Sequence, residues 1–283
     1  LRIVSATTLE TLSQKLDRFD SILRALPGAI VAFSGGADSA LLAEMTHRAL
    51  GERAVAVTAD SPSLPRRELA AAQELARIRG WRHLTVQTAE LDDPRYASNP
   101  TDRCYFCKSA LMDQLMPLAQ ASNFIILLGT NTDDLADYRP GRRAADDAGA
   151  RHPMAEARLS KSDVREASRT LGLPTAEKPA AACLSSRFAY GVEITPAALE
   201  RVEAAEDFLL DLGFKVVRVR DLGAGRARIE VGTEEVARAW GLRQKIEAEL
   251  ARLGFAHTKI DERGYRSGSM NDLIPIGATG GLR

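Results

Sequence analysis

The sequence predicts an α/β fold, a parallel sheet with helices on both faces, followed by a smaller C-terminal α+β unit. Three observations carry this prediction. Short apolar runs at 29–33, 54–58, 83–87 and 124–128 alternate with amphipathic segments of about 12 to 15 residues, the rhythm of parallel strands joined by crossover helices. Three of these runs stop at glycine- or Asx-rich turns, as buried parallel strands do. Around 174–191 a Pro-, Ala- and Ser-rich stretch interrupts the pattern, and a second, shorter alternation follows. The expected domains are therefore 1–180 and 181–283.

Each element has a local reason. Leu9, Leu12, Leu16, Phe19, Ile22, Leu23 and Leu26 recur at helical spacing over 8–26. The strand at 29–33 ends on glycines, and a helix follows over 38–50. After the strand at 54–58, a helix is expected over 65–79 with Pro65 at its start. The strand at 83–87 precedes a helix over 107–120 and the strand at 124–128. Ser160 and Asp163 form a capping box for a helix reaching Leu171. Thr195 is the expected N-cap of a helix over 196–212. Strands at 214–219 and 227–231, a helix over 234–253 and a strand at 257–260 complete the second unit. The glycine-bearing tail, 276–283, is expected to be loose.

Composition excludes several classes. Hydrophobic residues make up 45% and charged residues 27% of the 283, ordinary for a globular protein. No apolar run approaches the roughly 18 residues of a membrane span. Residues 1–8 lack a basic stretch followed by an apolar core, so no secretion signal and a cytoplasmic location are expected. Lys plus Arg and Asp plus Glu both number 38. A chain that holds a long nucleic acid usually carries a basic excess, so a nucleic-acid partner is not expected. Three cysteines, an odd count, argue against a disulfide framework.

The chemistry concentrates at two places. Ser34-Gly35-Gly36-Ala37-Asp38-Ser39 follows an apolar strand and opens a helix. Such a turn offers unpaired amides and the positive end of a helix dipole to an anion. The glycines permit close approach of phosphate oxygens, Ser34 and Ser39 can donate hydroxyl bonds, and Asp38 can hold Mg2+ or cap the helix. Asp60 closes the second strand, and Gly129-Thr130-Asn131-Thr132-Asp133-Asp134 closes the fourth. Ligands of open parallel sheets sit at these carboxyl ends, so Asp60, Gly129, Thr130 and Asp133 join the nucleotide site. Plain turn chemistry would use the same residue types.

The second place is Cys104-Tyr105-Phe106-Cys107, just before a helix, with Cys183 far along the chain. From spacing alone a redox pair, half of a zinc site, or ordinary thiols all stay open. The four histidines offer no paired metal spacing. Three thiolates without a fourth ligand suit a [4Fe–4S] cluster with one open iron. Alternatively, Cys183 acts by itself as a nucleophile or sulfur donor beside Arg187.

The segment Cys183-Leu184-Ser185-Ser186-Arg187-Phe188-Ala189-Tyr190-Gly191 resembles the signature of the LarE family of ATP-dependent sulfur transferases. The glycine loop likewise resembles the PP-loop of adenine-nucleotide α-hydrolase-like enzymes. Asn99-Pro100, Arg103 to Lys108, Gly129 to Asp134, Asp137 to Gly141 and Gly264 to Asn271 extend the likeness. It implies adenylylation of a carboxylate of pyridinium-3,5-biscarboxylic acid mononucleotide by ATP and Mg2+. Sulfur then replaces oxygen, giving a thiocarboxylate for the nickel-pincer nucleotide cofactor. One branch of the family sacrifices a single cysteine, leaving dehydroalanine. A second has three cysteines and carries a [4Fe–4S] cluster, and Cys104, Cys107 and Cys183 place this chain with it. The resemblance further implies catalytic roles for Cys183 and Arg187, with Glu206, Arg218 and Arg266 at the substrate phosphate. It also implies sulfide or a sulfur donor as partner, and a homo-oligomer.

Other readings use the same loop. A tRNA thiolase also joins a PP-loop to cysteines, but balanced charge and the absence of further zinc-ribbon cysteines disfavour it. An NAD- or GMP-synthetase-like ammonia ligase would leave the three thiols unexplained. A non-catalytic nucleotide sensor has no use for them either.

Overall fold

A computed structural model describes residues 10–135, 140–179 and 182–266. The expectations for 1–8, for Asp137 to Arg139, for Gly268 to Asn271 and for the 276–283 tail lie outside the described residues.

The chain forms two compact units, each fed by more than one stretch. Among the described residues the first gathers 10–60, 66–88 and those from 111 to 179; the second gathers 61–65, 89–110 and 182–266. A single cut near 180, as the sequence suggested, misses two excursions, 61–65 and 89–110. Local periodicity carries no signal for them, because their partners lie about a hundred residues downstream: Leu184 N–H donates to the Ser63 carbonyl at 2.8 Å, and the Tyr96 and Ser185 hydroxyls meet at 2.6 Å.

In the first unit, α1 (Leu12–Arg24) starts at a Thr11–Gln14 capping box. Then come β1 (Ala29–Ala32), α2 (Ala37–Leu50), β2 (Ala54–Asp60), α3 (Arg66–Arg79) and β3 (Arg82–Gln87). The 89–110 stretch of the second unit carries the short α4 (Pro94–Ala97) and the first turns of the long α5 (Arg103–Ser122), and the chain continues in the first unit as β4 (Ile125–Leu127). The sheet runs β3-β2-β1-β4, all parallel, with Ala29 opposite both Ala54 and Ile125. Strand period decides the two faces. Ala29, Val31, Phe33, Ala54 and Ala56 pack into one cluster with Phe19, Leu41, Leu42 and Val164. Their neighbours Ile30, Val55 and Val57 join Met112, Leu115 and Ala119 of α5 in another. Both faces are thus covered by helices, as expected.

Helices α6 (Pro140–Asp147), α7 (Pro153–Glu156) and α8 (Lys161–Thr170) follow, α8 beginning at the expected Ser160–Asp163 capping box. In the second unit, α9 (Pro196–Asp211) begins at Thr195, whose side chain accepts from Ala198 N–H. Strands β5 (Val217–Asp221), β6 (Arg226–Val231) and β7 (His257–Ile260) form a sheet, β5 antiparallel and β7 parallel to the central β6. The helix expected over 234–253 is broken into α10 (Val236–Gly241) and α11 (Arg243–Arg252). Gly241 marks the break, a punctuation that the periodicity concealed. Among the described residues no helix is long and apolar enough to cross a membrane.

Candidate functional site

The phosphate-loop end of the first unit is built by three segments. Gly36 caps α2 without a side-chain hydrogen bond, so the first turn of the helix owes nothing to a capping side chain. Gly35 has φ +74°, a left-handed conformation that glycine adopts without strain. Ser39 Oγ accepts from Ser34 N–H at 3.2 Å and donates to the Gly36 carbonyl at 3.2 Å, which closes the turn. Lys178 Nζ donates to the Gly35 carbonyl at 3.0 Å and to Glu68 at 2.6 Å.

The 129–135 loop lies directly on this turn. A Cβ on Gly129 would stand 3.0 Å from Ser39 N and 3.1 Å from Asp38 C, tight enough that the first turn of α2 would have to give way by a few tenths of an ångström. Asn131 Nδ2 donates to Asp38 Oδ1 at 3.1 Å. Asp133 accepts the Lys161 amide at 2.6 Å, and Thr130 Oγ1 meets His152 Nδ1 at 2.7 Å. The expected residues Ser34, Gly35, Gly36, Asp38, Ser39, Gly129 and Asp133 therefore stand in one place, with Thr130 on the same loop.

Lys161, which the sequence reading missed, stands there too: its ammonium donates to Asp38. Asp38 was expected to cap α2 or hold a metal, and in the structure its carboxylate pairs with Asn131 and Lys161. Asp60, at the end of β2, accepts from Arg66 at 2.5 Å and Gln87 at 2.7 Å. Burial works to raise its pKa, and these two donors hold it below the ordinary value.

The thiol end belongs to the second unit. Cys104 and Cys107 lie inside the first turns of α5 rather than before it, so at i and i+3 they share a face. Pro100 and Asp102 are the helix-start signals that the reading passed over. Cys104 is exposed, while Cys107 and Cys183 are half-buried. Burial, with the charges of Cys183 and Glu90 next, pushes the Cys107 thiol up to about 12; Cys104 adds to this and Lys108 opposes it. Burial lowers the pKa of Lys108.

Cys183 leads into a 3-10 turn, Leu184–Arg187, whose position is fixed from several sides. The Cys183 carbonyl accepts from Ser186 Oγ at 2.7 Å and Arg187 Nη1 at 3.0 Å. Asn99 Nδ2 donates to the Ala189 carbonyl at 2.8 Å, and Arg103 donates to Asn99 Oδ1. The Asn99-Pro100 and Cys183 to Gly191 motifs are thus one hydrogen-bonded piece.

Arg187 is buried and its guanidinium is engaged. Nε and Nη2 form a bidentate pair with Glu206, both at 2.9 Å, and Nη1 also reaches the Ala182 carbonyl at 2.6 Å. Glu206 was assigned to a substrate phosphate; here its oxygens take Arg187 and the Val219 amide. Arg187 thus holds the Ala182 and Cys183 carbonyls, and Glu206 holds Arg187. Arg218 lies over the Tyr265 ring at 5.1 Å, which brings it to the segment that carries Arg266. Burial, then the Arg187 charge, lowers the Arg218 pKa. Among the described residues, no three His, Cys, Asp or Glu side chains form a group fit for one metal ion.

A parallel sheet whose first strand runs into a glycine turn and a helix start defines an α/β protein with an anion-binding turn at the carboxyl end of its strands. No family model matches the chain. It is 35% identical over 268 residues to the pyridinium-3,5-bisthiocarboxylic acid mononucleotide synthase of Lactiplantibacillus plantarum, covering 94% of this chain and 97% of that one. An uncharacterized protein of Synechocystis is 45% identical over 93% of this chain and 99% of its own length. One of Methanocaldococcus jannaschii is 28% identical over 84% and 90%. The chain belongs to the LarE family, that of the pyridinium-3,5-bisthiocarboxylic acid mononucleotide synthase.

Proposed function

We propose that this protein is an ATP-dependent sulfur transferase of nickel-pincer nucleotide biosynthesis, acting on a carboxylate of pyridinium-3,5-biscarboxylic acid mononucleotide. The observation that carries the reading is the seating of Gly129 on the Asp38–Ser39 backbone, which brings the loop after β4 onto the glycine turn and the first turn of α2. The 35% identity to the synthase supports the choice of substrate.

In the first step a carboxylate oxygen of the substrate bonds the α-phosphorus of ATP, and the bond to the bridging oxygen breaks. Pyrophosphate leaves with the electron pair. Amides at the start of α2 and the Ser34 and Ser39 hydroxyls bind the phosphates. Mg2+ takes oxygen ligands, and Asp38 and Asp133 are the carboxylates that fit it. In the second step a sulfur nucleophile bonds the acyl carbon and AMP departs with the former carboxylate oxygen. Hydroxide is a poor leaving group where AMP is a good one, which is why ATP is needed. Arg218 and Arg266 bind the substrate's own phosphate, as guanidinium groups do. Arg187 and Glu206 hold Cys183 in place.

The three thiols fit a [4Fe–4S] cluster better than a single ion. A lone tetrahedral metal takes four ligands, and the sequence offers three cysteines with no paired histidine spacing for a fourth. A cluster spreads its thiolates over separate irons, and Cys107 is close enough to Cys183 and Cys104 to respond to their charge. Cys104, Cys107 and Cys183 would hold it, and bound it supplies an open iron for a sulfide ligand. Sulfide or a sulfur donor as partner, a homo-oligomeric state and a cytoplasmic location belong to the same proposal.

The test is release of AMP and pyrophosphate from ATP, compared between the pyridinium mononucleotide and bulk tRNA. Turnover with the pyridinium compound alone is expected; turnover with tRNA alone overturns the reading. Iron and acid-labile sulfide in anaerobically purified protein test the cluster separately, and an iron-free protein that still transfers sulfur removes it.

A further inference from the structure

We propose that His152, held by Asp146, fixes the Thr130 hydroxyl as a hydrogen-bond acceptor, and that this oxygen reads a donor on the nucleoside half of ATP. The inference rests on the reading of the 34–39 and 129–135 loops as the nucleotide site. Neither His152 nor Asp146 lies in those loops, so both would be positioning residues that act through Thr130.

The sheet itself brings the ring to the loop. After β4 and α6, Arg151 adds one more parallel rung beside Leu127. Its amide donates to the Ile126 carbonyl at 2.9 Å, and its carbonyl accepts from Leu128 N–H at 3.0 Å. His152 therefore leaves the sheet at the same carboxyl end as Gly129 and Thr130. Its own carbonyl accepts from Glu156 N–H at 3.0 Å as α7 begins at Pro153, so the backbone is fixed on both sides of the ring. The His152 side chain is 14% exposed. Nδ1 lies 2.7 Å from Thr130 Oγ1, and Nε2 lies 2.7 Å from Asp146 Oδ1. The second Asp146 oxygen faces Arg142 Nε at 3.9 Å, which orients the carboxylate from its other side.

The placement of the hydrogens follows. A carboxylate only accepts, so Asp146 takes the hydrogen of Nε2. A neutral imidazole then has none on Nδ1, which becomes the acceptor of the Thr130 O–H. With its one hydrogen committed to His152, Thr130 Oγ1 offers lone pairs alone. Such an oxygen repels phosphate oxygens and suits an N–H or O–H donor. The amides at the start of α2 suit the phosphates. Thr130, half-buried and one residue past the Gly129 contact with the Asp38–Ser39 backbone, suits the nucleoside. The donors on that half of ATP are the ribose hydroxyls and the adenine 6-amino group. A hydroxyl free to rotate serves donor and acceptor alike, whereas a fixed one is left unpaired by an analogue that lacks the donor, and so discriminates.

Two measurements test this. Nitrogen-15 NMR of the full chain, with His152→Phe identifying the ring among the four histidines, is expected to find the hydrogen on Nε2 and none on Nδ1. A hydrogen on Nδ1 overturns the proposal whether or not ATP binds. Calorimetric titration without acceptor then compares ATP with its 2′-deoxy and 3′-deoxy forms and an analogue lacking the 6-amino group. The proteins are the parent, Thr130→Val, His152→Phe and His152→Asn, each shown to be folded by its melting curve. Loss of one neutral hydrogen bond predicts that the parent prefers ATP to one of the three by about three- to tenfold, and that analogue identifies the donor. Thr130→Val should remove the preference and His152→Phe should weaken it. His152→Asn, whose Oδ1 still accepts the hydroxyl, should restore part. A merely structural His152 would lower affinity for all four nucleotides alike, and that outcome overturns the proposal, as does an undiminished preference in Thr130→Val. A parent that binds ATP with no such preference defeats this inference alone; one that binds none of the nucleotides defeats the ATP reading with it.

Discussion

The two chemically distinctive regions, one in each unit, are held by ion pairs of opposite character. At the phosphate loop, Lys161 and Asp38 meet with side chains 38% and 25% exposed. In the thiol-bearing unit, Arg187 and Glu206 meet at 4% and 9%, and Arg220 and Glu230 at 6% and 0%. Water screens the first pair and leaves it free to exchange partners. The buried pairs lie in a medium where neither member can be left alone, so they serve as fixtures. Under the proposed function the loop admits a charged ligand and releases a charged product, which needs the exchangeable kind. A cysteine that must keep one position needs the fixed kind.

The sharpest way to break this contrast is Glu206→Ala. It strips the buried Arg187 of its bidentate partner and leaves the Val219 amide without its acceptor. Removing one member of a buried pair costs about 3–5 kcal/mol, to be read as a lowered midpoint in urea. A loss under about 1 kcal/mol would mean that water reaches the pair. Because Arg187 also holds the Ala182 and Cys183 carbonyls, the rate of Cys183 alkylation should change together with stability.

The rule should depend on burial rather than on which unit is probed, and Glu44 tests that. In the first unit its carboxylate gathers Arg48 at 2.7 Å, Arg79 at 2.5 Å and the Trp81 indole at 3.1 Å. Burial pushes the Glu44 carboxyl up, and these donors more than reverse it, leaving it below its ordinary 4.5. A carboxyl whose folded pKa is depressed adds stability above its unfolded value and loses it as pH falls through the folded one. Stability of the parent should therefore fall with acid below about pH 4.5, and Glu44→Gln should flatten part of that slope. At neutral pH the substitution should cost about 1.5–3 kcal/mol, the worth of hydrogen bonds to a charged group.

Gly129→Ala probes the backbone instead. Its Cβ meets the Asp38–Ser39 main chain, so either the loop or the turn must shift. Overpacking of this kind costs about 1–3 kcal/mol. Nucleotide affinity should fall more than stability, since the displaced atoms are those of the phosphate turn.

Much of the fold was visible in the sequence, this contrast was not, and the missing part has a physical cause. Short apolar runs announced the parallel strands, and the Ser160–Asp163 capping box and Thr195 announced their helices, because those signals span a few residues. The same local view put Cys104 outside α5 and ran one helix through Gly241. It named Asp38, Arg187 and Glu206 separately, yet could not pair them. Lys161 reaches Asp38 across 123 positions, and Arg187 reaches Glu206 across 19. Which charge meets which is decided by the fold, and only the fold distinguishes an exchangeable pair from a fixed one.

The smallest expected effect is the most telling. Lys161→Gln removes a part-exposed ion pair, and such pairs contribute about 0.2–1 kcal/mol. The amide of residue 161 still donates to Asp133 and the capping box of α8 is untouched, so nothing buried is orphaned. The urea midpoint should barely move, and added salt should shrink even that difference because the pair is screened already. Were the loss instead near that of Glu206→Ala, the pair would be a fixture like those of the second unit. A pair so costly to open could not hand its carboxylate to a metal, and the contrast between the two regions would collapse.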